Sequence, residues 1–170
     1  MRQSDQTTAV AVQTDAGADG LTEVLFYHLE QQPLERVLPV LAEKTLERGL
    51  RAVIQVTSEE RLAALDQLLW TYRDESFLPH APASDTRAPT QPIVLTLQAE
   101  ENPNGASVRF YCDGAAPEAF EGYARLVYLF NGHDPDAVSH ARTRWKAAKA
   151  AGCALTYWQQ NAQGRWEKKA

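Results

Sequence analysis

The 170-residue chain is poor in the residues that mark several large protein classes. It has only two cysteines, Cys112 and Cys153, far apart and outside any CxxC pattern. That excludes a disulfide framework and a cysteine-rich zinc site, and it fits a reducing compartment, with a cytoplasmic location expected. No uninterrupted apolar run approaches the ~18 residues that a membrane span needs. The first residues carry Arg2 and no apolar core segment, so no ordinary secretory signal is read there. Glycine is never clustered: neither GxGxxG nor GxxxxGK[ST] occurs, so a nucleotide-dependent enzyme is disfavoured. Also missing are HExxH and GxSxG. The four histidines (His28, His80, His133 and His140) show no metal-ligand spacing, and His133-Asp134 reads as a helix start. No catalytic site, cofactor or metal is expected.

What is present is an ordinary globular composition, 44% hydrophobic and 23% charged, in a length that suits one domain. The net charge of -5 hides a polarity. Residues 135–170 hold seven Lys/Arg against Asp136 and Glu167, a local +5, which leaves -10 on residues 1–134. A basic final fifth on an acidic body points to an anionic partner for that end.

Residues 1–20 lack bulky apolar residues and periodic patterning, and are expected to be a disordered leader. The folded domain is expected over 21–162, with 163–170 a basic extension that reads as a strand or a tail. Thr22–Leu29 and Arg51–Val56 read as strands, each followed by a helix-period segment, a βαβ arrangement with a parallel sheet. Asp74–Thr90, with Pro79, Pro82 and Pro89, reads as a long loop. Pro92–Leu97 and Ser107–Cys112 read as strands joined by the turn residues Asn102-Pro-Asn-Gly105, with an antiparallel return expected. Tyr123–Phe130 reads as a strand, 135–151 as a helix ended by Gly152, and Ala154–Trp158 as a last strand. The expected fold is a single α/β domain with a twisted, mostly parallel sheet and helices on both faces. It is Rossmann-like without the nucleotide motif.

The helix over 135–151 is the most informative segment. Ala137, Val138, Ala141, Trp145 and Ala148 share one flank at 3.6-residue spacing, and Arg142, Lys146 and Lys149 form a stripe beside it. Three like charges without acidic i+4 partners repel mildly, so a partner is expected to supply the counter-charge. A cationic stripe beside an indole suits a ligand both anionic and apolar: an acidic peptide ending in an aromatic residue, or single-stranded nucleic acid. The -10 body argues against a long polyanion. A surface helix with a core tryptophan is the plainer alternative. A second aromatic group, Trp70, Tyr72, Phe77 and Leu78, crowds a helix end and loop start, and reads as a docking patch or as a small core under the loop.

At these two segments the chain resembles the chi subunit family of bacterial DNA polymerase III. The resemblance is carried by Phe26-Tyr27, by Leu69-Trp70 followed by Glu75-Ser76-Phe77-Leu78-Pro79-His80, by Pro92-Ile-Val-Leu-Thr96, and by Ala141-Arg142-x-Arg144-Trp145-Lys146 leading to Lys149 and Gly152. It covers roughly residues 22–160. It implies a clamp-loader-associated subunit that binds the acidic C-terminal tail of single-stranded DNA-binding protein and contacts a psi subunit, touching DNA mainly indirectly. On this sequence the implied tail-binding positions are Arg142, Trp145, Lys146, Lys149, Val138, Asn131 and Cys153, and the implied psi contacts are Trp70, Phe77, Pro79 and His80. Trp145 stands where other members carry Tyr, and Val138 where some carry a basic residue.

Overall fold

The computed structural model describes residues 21–73, 78–117 and 119–170. The leader 1–20 lies outside them. Eight strands form one sheet: β1 (Glu23–Leu29), β2 (Ala52–Gln55), β3 (His80–Pro82), β4 (Ile93–Thr96), β5 (Val108–Tyr111), β6 (Arg125–Asn131), β7 (Ala154–Gln160) and β8 (Trp166–Lys168). Their spatial order is β3-β4-β2-β5-β6-β1-β7-β8, and every pairing is parallel except β7 with β8. Three helices connect them: α1 (Leu34–Glu47), α2 (Glu59–Thr71) and α3 (Pro135–Ala150).

The local chemistry explains the boundaries. Pro33 precedes α1, where a missing N–H costs nothing. Gly49 follows α1 with a φ of 75°, a left-handed position that suits glycine. Ser58 caps α2 by accepting the Arg61 N–H at 3.2 Å. Asp134 does the same for α3, accepting from Asp136 at 3.0 Å. Every residue of β2, β4 and β5 is buried, as expected for parallel strands covered on both faces.

Period-2 alternation splits the core by face. Leu29, Ile54, Leu95, Phe110, Val127 and Leu129 meet Leu34, Val37, Leu38 and Ala42 of α1 and Leu65 and Leu69 of α2. On the opposite face Val24, Phe26, Leu126, Tyr128 and Phe130 meet Ala141 and Ala148 of α3. The helices therefore lie on both faces.

The return to β5 is not the expected antiparallel one. β4 and β5 flank β2 and run parallel to it, so the connection must descend the length of the sheet. The buried Arg109 of β5 holds that descent: its guanidinium donates to the Gln98 and Glu101 carbonyls, both at 2.7 Å. Asn102 closes the turn below, accepting the Ala106 N–H at 2.8 Å and donating to its carbonyl at 3.0 Å. The proline-rich loop contributes the short strand β3 and a 3-10 turn over Ala88–Thr90. At the other edge Trp166–Lys168 joins the sheet as β8.

β1 and β6 are neighbours whose following helices depart in opposite directions, which opens a crevice at their carboxyl ends. A cavity of about 670 Å³ lies there, lined by Glu30–Glu35 after β1 and by Asn131, His133, Asp134, Asp136, Ala137 and His140 after β6. In nucleotide-binding sheets the amides after the first strand cradle phosphate. Here the Gln160 side chain, from the end of β7, occupies that cradle. Its Oε1 accepts the N–H groups of Glu30, Gln31 and Gln32 at 3.0, 2.9 and 3.1 Å. Five carboxylates (Glu30, Glu35, Asp113, Asp134 and Asp136) line the same cavity against Arg61, which pairs with Glu35 and Asp113, so the net field repels phosphate. A Gln160→Ala variant is expected to lose about 1–2 kcal/mol of stability, because three partly buried amides lose their acceptor. Urea denaturation measures this, and a Gln160→Ala variant as stable as wild type would show that the turn after β1 holds itself.

Candidate functional site

α3 is positioned by small residues. Ala141 and Ala148 are buried, which brings the helix close to the sheet, and the larger Val138 and Trp145 reach the same cluster while half-buried. The Trp145 ring meets Phe26 edge-on at 5.3 Å and Tyr157 at 5.8 Å between centroids. Such pairs fix an indole without burying all of it. Phe26 in turn stacks with Tyr157 at 6.3 Å and tilts against Tyr128 at 5.4 Å.

Beside this indole, Arg142, Lys146 and Lys149 are exposed. None of the three forms a salt bridge or side-chain hydrogen bond with a described residue. The nearby Arg144 is different: it is half-buried and donates to the Pro117 carbonyl at 3.4 Å, tying down the preceding loop. From Val138 to Lys149 the stripe runs about 16 Å along the helix surface. Its chemistry is open: three solvated cations flanking an aromatic surface anchored from below.

The other expected site residues sit at the ends of this helix. Asn131 ends β6 and accepts the His133 N–H at 2.9 Å, which shapes the turn into α3. Cys153 follows α3, half-buried, and burial pushes its thiol above the usual range, so it is not an activated nucleophile. Asn131 and Cys153 thus bracket the stripe without touching one cavity. The 670 Å³ cavity is lined by Asn131 but not by Arg142, Trp145 or Lys146.

Two residues under the stripe were not anticipated. The Tyr157 hydroxyl is 2.7 Å from Nδ1 of the buried His28, and His28 Nε2 lies 3.0 Å from the Glu30 carboxylate. The Arg142 charge acts on Tyr157 and lowers its pKa, against a larger upward push from burial. The alternation in β1 and β7 places Phe26, His28 and Tyr157 on the face of α3. Phe26 and Tyr157 meet Trp145, and His28 meets Tyr157 and Phe130, an arrangement that depends on β1 and β7 being neighbours, which no local pattern encodes.

His28 also gives the site a pH dependence. Burial lowers its pKa, with Glu30 pulling the other way, so the folded state favours the neutral ring. Its folded pKa lies below its unfolded one. The associated stability is therefore complete above about pH 6.5 and falls as pH drops through and below that value. Thermal melts between pH 7.5 and 5.5 should show a larger loss in wild type than in His28→Gln.

At the second patch, Trp70 is 54% exposed and its ring lies 4.6 Å from that of His80. His80 itself is buried, with its ring nitrogens 2.6 Å from the Leu78 carbonyl and 3.0 Å from that of Asp66. Pro79 is half-buried, and Phe77 lies outside the described residues. His80 is a structural support for the exposed indole.

Among the described residues no three His, Cys, Asp or Glu side chains gather as a metal site, and no helix is long and apolar enough to cross a membrane.

The family described as DNA polymerase III chi subunit, HolC, matches residues 21–156, well over half of the chain. The chain belongs to this family. It is 33% identical over 82 residues to the probable DNA polymerase III subunit chi of Rickettsia prowazekii, covering 48% of this chain and 49% of that one. It is 34% identical over 73 residues to the DNA polymerase III subunit chi of Pseudomonas aeruginosa, covering 41% and 51%. The chain spans about half the length of these curated relatives. The family match takes in all of α3, Trp70 and strands β1 and β6, and ends within β7.

Proposed function

We propose that this chain is a non-catalytic accessory subunit of the bacterial replicative polymerase, acting in the cytoplasm. In this reading it links the clamp-loader side of the machine to single-stranded DNA-binding protein by gripping that protein's acidic C-terminal tail. The observation that carries it is the α3 stripe: Arg142, Lys146 and Lys149 are exposed without a counter-charge among the described residues, beside a Trp145 held edge-on by Phe26 and Tyr157. An acidic peptide supplies the missing negative charges, a terminal carboxylate suits the Arg142 fork, and an aromatic tip packs against the indole. Val138 extends the apolar edge, and Asn131 and Cys153 mark the ends of the helix along which the tail would lie. The exposed Trp70, steadied by His80, is the proposed docking point for the psi subunit or the loader, with Phe77 and Pro79 in the same segment.

Calorimetric titration with a short acidic peptide ending in Asp-Phe tests the reading. Binding is expected near the micromolar range, about -8 kcal/mol, and should weaken when the terminal carboxylate is amidated. Equal affinity for the free and amidated peptides would remove the carboxylate from the account.

A further inference from the structure

The sheet face opposite α3 carries a second aromatic surface, outside the tail site. Over β1, β7 and β8 this face is only half-buried: Leu25, Tyr27, Thr156, Trp158 and Trp166 all keep part of their surface open. Tyr27 lies directly across from Trp158, and Trp158 directly across from Lys168, so the three form a row over three strands. The Trp166 ring meets Tyr27 edge-on at 5.1 Å. A groove of about 160 Å³ runs from Leu25 and Tyr27 to Leu41, Lys44 and Arg48 of α1, with Arg125 also lining it. Arg125 is neutralised by Glu23 at 2.8 Å. Lys44, Arg48 and Lys168 form no salt bridge with a described residue. The Arg125 and Arg48 charges nonetheless reach Tyr27 and lower its pKa, against the larger upward push of burial.

Local charge names the occupant: three cations gather around this aromatic row although the chain as a whole carries -5, so the surface grips a short stretch of strand. Cations border the aromatic row on two sides, Lys44 and Arg48 along α1 and Lys168 on the outermost strand. The carboxylates Glu30, Glu35, Asp113, Asp134 and Asp136 line the cavity at the carboxyl ends of the strands. Lys44 and Arg48 close the carboxyl end of α1, towards the opposite end of the sheet. An extended peptide seeks the open edge of a sheet for its backbone hydrogen bonds, and that edge is offered at β8, not on this face. Stacked bases use a sheet face, with phosphates on flanking cations.

We propose that this face, the groove together with the adjoining Trp166 and Lys168 of β8, is a platform for single-stranded nucleic acid, with bases stacking on Tyr27 and Trp166 and phosphates held by Lys44, Arg48 and Lys168. The proposal is independent of the tail-binding reading of α3. It places two surfaces on opposite faces of one sheet, one for a protein tail and one for the strand itself.

The test is fluorescence anisotropy of a labelled thymidine oligonucleotide of about 20 residues with the full-length chain at low salt, longer than the ~4–16 nucleotides one such platform covers. Three phosphate contacts predict a slope of about -2 in log affinity against log salt. The double variant Lys44→Glu/Arg48→Glu alters exposed side chains, so the fold is retained, and it should weaken binding about tenfold or more and flatten the slope by roughly 1.4. Trp166→Ala should also weaken it, while Arg142→Glu/Lys146→Glu on α3 should leave it within about twofold. Absence of oligonucleotide binding, wild-type affinity in the Lys44/Arg48 variant, or an acidic peptide that competes for this groove would each overturn the proposal.

Discussion

An Arg109→Leu variant is expected to lose about 4 kcal/mol of stability, a large fraction of the ~5–15 kcal/mol that holds a domain together. Arg109 is 0% exposed, yet no carboxylate pairs with it among the described residues. Its charge is held instead by neutral acceptors. Nε and Nη2 both donate to Gln55 Oε1, at 3.1 and 2.8 Å, and Nη1 donates to the Tyr123 hydroxyl at 2.9 Å. With the Gln98 and Glu101 carbonyls of one loop, the planar fork satisfies four groups from three separate segments. The guanidinium also lies 5.9 and 5.7 Å from the Tyr111 and Tyr123 ring centroids. Leucine fills part of the space but leaves those acceptors unpaired, at about 1–3 kcal/mol for each one that stays buried. Arg109→Lys keeps the charge and loses the fork, so it should fall between the two. Urea denaturation at neutral pH checks both. A leucine variant as stable as wild type would show that the loops over this face are held by something else.

The second large effect is on binding. Reversing two charges of the stripe, Arg142→Glu with Lys146→Glu, should weaken the acidic peptide by about 3 kcal/mol, roughly 100-fold. Both side chains are exposed and unpaired among the described residues, so the melting temperature should barely change. Trp145→Ala is a less clean probe, because the indole also packs on Phe26 and Tyr157. Trp145→Tyr keeps an aromatic surface and should retain most of the affinity. An unaltered affinity in the charge-reversed variant would dissociate the stripe from tail recognition.

Much of this was legible in the residues. The strand–helix alternation from Glu23 to Thr71 and the small-residue flank of α3 lead directly to a parallel sheet with helices packed closely on it. The exposed stripe of Arg142, Lys146 and Lys149 follows from 3.6-residue spacing alone. Two features resisted, for a shared reason. The turn chemistry of Asn102–Gly105 implied a hairpin, but the burial of both faces of β2 and the fork of Arg109 impose a parallel crossover. Gln160 lies beyond the strand read over Ala154–Trp158 and carries no local signal of its role. It proves to satisfy a turn about 130 positions earlier, a pairing set only by the order of strands. Local signals report what one element prefers. They are silent on which distant segment completes it.

The tail-binding account turns on one indole among the four in the chain. Following the indole N–H resonances during titration with the Asp-Phe peptide separates Trp145 from Trp70, Trp158 and Trp166. The account predicts that the Trp145 signal shifts and saturates with the calorimetric affinity, while the other three stay in place. A saturating titration that moves Trp70, Trp158 or Trp166 and leaves Trp145 still would contradict it.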